Sequence, residues 1–397
     1  MDFQRDGPFR LFGQVALQRE KKVRLKLLYP LLLAGLLGLS SLFLGEILLR
    51  IFWHNPNLYA WNNFSGYVRL QKPNQKEIYN IAGLYEGAGK IKFRTGPFGE
   101  VLNSGEPGSS WAIGGSTTEC RYVPEDCRWP DLIGSHQLTN FGSSGCALGD
   151  SLFNVKFLLE HKRPAPRGIF LMHAVNDLSA WKDYLECRGD SQGWARLRLR
   201  FHTTARDDRS LWGRKVWLIA WYASIRDRYP LRNFGAWSAR DFYTRLRAKS
   251  VAGRAQSPLS RQDFERFRRG PFEDFLRARE KTYLDFRGLL SPHGTELILL
   301  TQPHAFRADY HPFDDVDLRD TPELMGGFAS YDQTGQLLQA INQQTREWSR
   351  KYGARLVDLE KKFEAEPPSP LFYDSVHYTE KGSEKVASFI NQELSPR

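Results

Sequence analysis

The chain has 397 residues and a formal net charge of +11, with 41% hydrophobic and 13% aromatic residues. That length holds one large domain or two small ones plus extras, and that apolar content supports a sizeable folded core. The basic surplus is spread out, with no clustered stripe and no nucleic-acid motif, so no nucleic acid is expected as a partner.

The first element is apolar. Leu27 to Gly45 is uncharged and dominated by leucine; Glu46 interrupts it, and Ile47, Leu48 and Leu49 follow. A bilayer core takes about 20 apolar residues in a helix, so residues 27–53 are expected as a transmembrane helix. Phe52 and Trp53 would form an aromatic edge at one interface. Arg19, Lys21, Lys22, Arg24 and Lys26 precede the run, so residues 1–26 are expected as a cytoplasmic basic tail. Everything after Trp53 is then outside the cytoplasm, on a single-pass protein of the cell membrane (periplasmic in a Gram-negative cell). A cleaved signal peptide is the rival reading. Against it stand a long charged region, an apolar run longer than usual and the lack of a clean A-x-A site. A buried helix of a soluble domain is the third, and the run has no polar face to suit it.

Residues 54–105 read as a juxtamembrane linker with short strands, broken by Gly83, Gly87, Gly89, Gly96 and Gly99. Residues 106–397 read as one α/β domain. Short apolar runs recur at Trp111 to Ile113, Leu138 to Phe141, Gly168 to His173, Glu296 to Thr301 and Arg355 to Leu359. Helical stretches such as Leu152 to Leu159 and Leu337 to Lys351 lie between them. This alternation predicts a parallel sheet covered on both faces, a three-layer α/β/α fold with its ligand site at the carboxyl ends of the strands. A stretch at about 181–290, rich in Arg, Trp, Tyr and Phe, interrupts the rhythm and reads as a mainly helical insertion.

Four turns carry chemistry. Ile113-Gly114-Gly115-Ser116-Thr117-Thr118-Glu119 is a strand, two glycines and a serine that opens a helix, which exposes the hydroxyl at a tight turn. Ser116 with Glu119 also matches a capping box, and the two readings are compatible. Asn140-Phe141-Gly142-Ser143-Ser144-Gly145 lets backbone amides approach a ligand, or is an ordinary strand-to-helix loop. Met172-His173-Ala174-Val175-Asn176-Asp177 ends a strand with an asparagine whose amide can point into the site or cap the next helix. Tyr373-Asp374-Ser375-Val376-His377-Tyr378 puts a carboxylate and an imidazole three residues apart, where the first can orient the second to take a serine proton.

With these four elements in this order, the chain resembles the SGNH/GDSL hydrolase family over about Ser110 to Glu393, apart from the insertion. The resemblance implies a flavodoxin-like fold and a serine hydrolase acting on ester bonds. It implies Ser116 as nucleophile, Asp374 and His377 as the paired acid and base, and the Ser116 amide, Gly145 and Asn176 as the oxyanion hole. No metal or organic cofactor is implied. Gly115 departs from the founding motif, which has Asp there, and matches a GGST variant of bacterial members. Ala174 stands where the third block usually has Gly, and its methyl group is expected to narrow the pocket. The GGSTTE turn, the Leu171-Met172-His173 strand end with Asn176-Asp177, the Thr301 to Pro303 segment and the final Asp-x-Val-His-Tyr resemble a membrane-anchored bacterial subgroup associated with cell-surface polysaccharide. The expected partner is an acylated carbohydrate or small ester. The same chemistry allows an acyltransferase, and a non-catalytic polysaccharide-assembly factor is the rival from another class.

The remaining candidates are side issues. Four cysteines without CxxC spacing match neither a disulfide scaffold nor a structural zinc site. Outside the cytoplasm they are expected to pair as Cys120–Cys127 and Cys146–Cys187, with four buried thiols as the alternative; Cys120 is also a candidate thiol nucleophile. His304 and His311 with Asp309, Asp314 and Asp315 are a weak metal candidate. Asn63-Phe64-Ser65 is a formal glycosylation sequon. Trp212, Trp217, Trp221 and Tyr222 lie among Arg214, Lys215, Arg226 and Arg228, a pattern that suits an anionic bilayer surface, an active-site lid or packing onto the core.

Overall fold

The structure, a computed structural model, describes residues 33–48, 68–71, 73–134, 138–161, 164–190, 193–194, 259–306 and 329–395. The chain divides into two compact units, Met1–Asn55 with Asp208–Asp227 and Pro56–Asp207 with Arg228–Arg397. In the first, residues 33–48 are α-helical and mostly exposed. Among the described residues, no helix is long and apolar enough to cross a membrane. The rest of the expected span, 27–32 and 49–53, lies outside the described residues, as do the tail 1–26, the sequon and the aromatic stretch from Trp212 to Arg228.

In the second unit, an antiparallel hairpin comes first, β1 (Lys76–Asn80) and β2 (Lys90–Arg94). Then follow β3 (Ser110–Gly114), α1 (Ser116–Glu119), β4 (Leu138–Asn140), α2 (Leu148–Glu160), β5 (Gly168–Met172), α3 (Val175–Ser179) and α4 (Trp181–Cys187). The second half runs α5 (Arg261–Phe267), α6 (Glu273–Leu290), β6 (Glu296–Leu300), α7 (Tyr331–Tyr352), β7 (Arg355–Val357), α8 (Leu359–Glu364) and α9 (Glu380–Leu394).

Strands β3 to β7 form one parallel sheet in the order β4-β3-β5-β6-β7. The order of the first three strands reverses at β3, which makes the carboxyl ends of β3, β4 and β5 the switch point where such sheets bind ligands. β3 and β5 are buried at every position, as their uninterrupted apolar sequences demand. Alternate side chains feed two cores. Ala112, Phe170, Met172, Ile298, Leu300 and Val357 pack with Phe363 of α8 and with Val386, Ile390 and Leu394 of α9. Trp111, Ile113, Ile169, Leu171 and Leu299 pack with Leu152 and Leu158 of α2, with Tyr283 and Phe286 of α6 and with Trp348 of α7. The fold is therefore an α/β sandwich of three layers.

Two regions differ in detail from the sequence reading. The segment at about 181–290 contains α6, which crosses from β5 to β6 and covers the sheet; its core-facing Phe275, Arg279, Thr282, Phe286 and Leu290 keep helical spacing. Residues 195–258 lie outside the described residues. Within 54–105, the described part is built onto the domain: Val101 bridges Asn140 at the edge of β4, with Val101 N–H donating to Asn140 O at 2.7 Å.

Candidate active site

β3 runs straight into α1 through Gly114 and Gly115. Gly115 is the extended residue before the helix, and no side chain caps it. As the first helical residue, Ser116 has an amide with no partner inside its own helix. Its hydroxyl turns to His377, with Oγ 2.7 Å from Nε2. The capping-box alternative does not form. Glu119 accepts instead from Arg121 Nε at 2.5 Å and from the Ser144 hydroxyl.

His377 and Asp374 share a tight loop closed by an antiparallel bridge between Phe372 and Tyr378. Ala305 N–H donates to Ser375 O at 2.8 Å and ties the loop to the chain beyond β6. Asp374 Oδ1 accepts from the backbone of Val376 at 2.9 Å and of His377 at 2.7 Å. Its Oδ2 lies 2.6 Å from His377 Nδ1. Burial pushes the Asp374 carboxyl up, but His377 and these hydrogen bonds outweigh it and hold the carboxyl below its ordinary value. Asp374 is therefore ionised at neutral pH and keeps the imidazole proton on Nδ1, so that Nε2 is the acceptor facing Ser116. The Tyr373 ring stacks on the imidazole with centroids 5.6 Å apart and planes 8° from parallel.

Gly145 and Asn176 come from the ends of β4 and β5. Gly145 adopts φ +70°, a conformation that favours glycine. Asn176 sits in the first turn of α3, and its Nδ2 lies 1.9 Å from where a β-carbon on residue 115 would stand. A side chain at 115 would displace the Asn176 amide from its place in this structure. Ala174 is buried to 1% exposure within a hydrophobic cluster beside Val175 and Leu178. Its methyl group packs into that cluster and displaces no catalytic group.

The Asn176 turn is held from behind by residues to which the sequence reading gave no role of their own. Val175 N–H donates to Gln302 Oε1 at 3.1 Å. Gln302 is itself locked to Asn342 of α7, its N–H donating to Asn342 Oδ1 and its carbonyl accepting from Asn342 Nδ2, both at 2.9 Å. Asp177, fully buried, takes Arg279 Nε at 2.6 Å, Leu148 N–H at 2.7 Å and the Tyr184 hydroxyl at 2.9 Å. Arg279 also donates to His173 O and Gln344 Oε1, both at 2.9 Å, and lies over the Trp348 ring. The side-chain charge of Asp177 is thus compensated inside the protein, where an unpaired carboxylate would be strongly disfavoured. Strand-end motifs do not announce such partners, which lie 102 residues apart for Asp177 and Arg279.

None of the four cysteines forms a disulfide. The expected pairings Cys120–Cys127 and Cys146–Cys187 are corrected on this point. Cys120 Sγ donates instead to Thr117 O at 3.2 Å, and Cys146 Sγ lies beside Ser151 and Asn154. Burial pushes the Cys120 thiol up to about 12, which also removes it as a nucleophile at neutral pH. Among the described residues, no group of three or more His, Cys, Asp or Glu is arranged to hold a metal ion. His304 Nε2 lies 3.3 Å from Glu360; Asp309, His311, Asp314 and Asp315 lie outside the described residues.

No family model matches the chain. No curated protein matches it either. Solved structures to which it is similar include a lipolytic protein of the G-D-S-L family from Veillonella parvula, 14% identical with a TM-score of 0.37, covering 72% of this chain and 97% of that one. A catalytic mutant of an acetylxylan esterase from Geobacillus stearothermophilus is 11% identical with a TM-score of 0.35, covering 75% of this chain and 97% of that one. An extracellular lipase from Streptomyces rimosus is 13% identical with a TM-score of 0.34, covering 72% of this chain and 99% of that one.

Proposed function

We propose that the chain is a serine hydrolase that cleaves O-acyl esters through an acyl-serine intermediate. The observation that carries this reading is the line of Ser116, His377 and Asp374, with gaps of 2.7 Å and 2.6 Å. Ser116 Oγ attacks the acyl carbon while His377 Nε2 takes its proton. The developing oxyanion is met by the amides of Ser116 and Gly145 and the side chain of Asn176. His377 returns the proton to the leaving alcohol, and water then releases the carboxylic acid.

The substrate class is an acyl ester on a carbohydrate, such as an acetylated surface polysaccharide. An aromatic wall beside His377 supports it. Tyr85 stacks on Tyr373 at 6.0 Å, Tyr122 meets Tyr373 edge-on, and Tyr373 covers the imidazole. Tyr373 itself is buried between His377 and Tyr85, so a sugar ring would meet the half-buried Tyr85 and Tyr122 at the edge of this cluster. The leucine-rich run at 27–53, preceded by lysines and arginines, supports an anchor that leaves this domain outside the cytoplasm. Protease added to intact spheroplasts then digests the domain; full protection there refutes the orientation.

The reading is tested by offering the purified protein short- and long-chain p-nitrophenyl esters and acetylated xylooligosaccharides, with and without an acceptor glycan. Release of free acid in water alone supports hydrolysis. Acyl transfer only in the presence of the glycan assigns the same residues to an acyltransferase. Absence of both from a folded protein contradicts an acyl-transfer enzyme.

A further inference from the structure

The segment 68–71 precedes the hairpin and belongs to none of the four motif turns, yet it is fastened across the loop that carries Gly145. Arg69 is fixed first through its backbone. Its N–H donates to Asn154 Oδ1 at 2.7 Å, and its carbonyl accepts from Asn154 Nδ2 at 3.1 Å. This clamps the residue to α2. Its guanidinium then donates from Nη1 to the Gly145 carbonyl at 2.6 Å and lies 3.6 Å from the fully buried Asp150 carboxylate. Two residues on, Gln71 donates to Ser143 Oγ at 3.2 Å and accepts from Arg121 Nη2 at 2.8 Å. Arg121 in turn grips Glu119 at the end of α1.

Gly145 sits at φ +70° with no side chain to anchor it. Its carbonyl side is held by Arg69, and the preceding stretch is held where Ser143 N–H donates to Gly114 O at 3.1 Å. A hydrogen bond from a charged donor is roughly twice as strong as a neutral one. The Arg69 bond is thus the charge-assisted restraint on the Gly145 backbone, beside the neutral bonds of Ser143 N–H to Gly114 O and of Cys146 N–H to Ser143 O.

We infer that Arg69 is a positioning residue of the oxyanion hole, acting on the acyl-transfer step by holding the Gly145 carbonyl and with it the orientation of the preceding peptide, which carries the Gly145 N–H. The inference rests on the reading of Gly145 as an oxyanion donor. Arg69 contacts the loop and not the reacting atoms. Its removal therefore affects the transition state, where the oxyanion develops, more than the binding of the ground state.

The test uses the full chain, p-nitrophenyl acetate, and the variants Arg69→Met, Arg69→Lys and Ser116→Ala. Met keeps the apolar stem and removes the donors. Loss of a whole oxyanion donor lowers kcat by about 10²–10³-fold, so a loosened one is expected to lower it by about tenfold or more. The expected pattern is a lower kcat for Arg69→Met at unchanged KM, in a chain whose melting temperature stays above that of the assay, with Arg69→Lys in between. If Arg69→Met does not fold, Arg69→Lys decides alone: a reduced kcat at unchanged KM supports the inference, and an unchanged kcat overturns it. A wild-type kcat in Arg69→Met, or a loss matched by an equal rise in KM, also overturns it. Ser116→Ala separates the two levels. If it is inactive while Arg69→Met is unimpaired, only the role of Arg69 falls; if Ser116→Ala is itself active, or the wild type turns over no ester, the serine-hydrolase reading falls and takes this inference with it.

Discussion

Asn176 and Gly115 occupy each other's space: the Nδ2 of Asn176 lies 1.9 Å from the point where a β-carbon on residue 115 would be. The glycine is what lets the amide reach the mouth of the Ser116 turn. Gly115→Ala is therefore expected to push Asn176 aside and lower kcat by about 10²-fold, the scale of losing one oxyanion donor. Steady-state kinetics on p-nitrophenyl acetate check this, with a control that the melting temperature stays above the assay temperature. Asn176→Ala made on its own is expected to match it, and the double variant to add little, because both changes remove the same proposed oxyanion donor.

The buried pair of Asp177 and Arg279 makes a stability prediction. Arg279→Met leaves the Asp177 carboxylate without its cation in a site with no exposure. Breaking a buried pair in this way costs about 3–5 kcal/mol. Urea denaturation is the measurement, and Asp177→Asn added to Arg279→Met is expected to recover part of the loss.

His173 makes a pH prediction. Burial, aided by Arg279 and opposed by Asp177 and Asp150, pushes its imidazole down to about 4. The unfolded chain binds a proton there near pH 6.5, and the native state does not until about pH 4. Native stability is thus full above about pH 6.5 and falls between there and about pH 4, by about 3 kcal/mol from this group. His173→Gln is expected to flatten that fall, as read by urea midpoints at pH 7 and pH 5. Asp374 acts at lower pH: its depressed carboxyl adds stability above its ordinary value and loses it as pH falls through the depressed one.

The cysteines make a chemical prediction. With no disulfide present, denaturation without reductant followed by iodoacetamide is expected to alkylate all four. Recovery of a Cys120–Cys127 or Cys146–Cys187 cross-linked peptide contradicts the structure at that point.

Much of the fold was legible because buried parallel strands are apolar throughout. Trp111 to Ile113, Gly168 to His173 and Glu296 to Thr301 coincide with β3, β5 and β6 to within a residue or two. The turns of Ser116 and Gly145 were legible because glycines stand beside polar residues there, and those of Asn176 and His377 because polar side chains are grouped within a few positions of a strand end or loop. α6 was hidden within a stretch read as an insertion. Its buried face includes Arg279, and a cation reads as surface until the partner 102 residues away is known. Arg69 was hidden for the same reason, since its contact to Gly145 spans 76 residues; Gln302 stood within the Thr301 to Pro303 segment, but its bond to Val175, 127 residues away, left no local pattern. The cysteine pairing failed because compartment and spacing say nothing about whether side chains meet.

The proposed role of Ser116 is that of a nucleophile activated by His377 and Asp374, across gaps of 2.7 Å and 2.6 Å. The most direct measurement is labelling of the full chain with a fluorophosphonate, followed by peptide mapping, for the wild type, Ser116→Ala and His377→Ala. Stoichiometric label on Ser116 is expected, with none in Ser116→Ala and a rate lowered by several orders of magnitude in His377→Ala, in line with triad members acting as a unit. Label on another residue, or equal labelling of wild type and Ser116→Ala, contradicts that role.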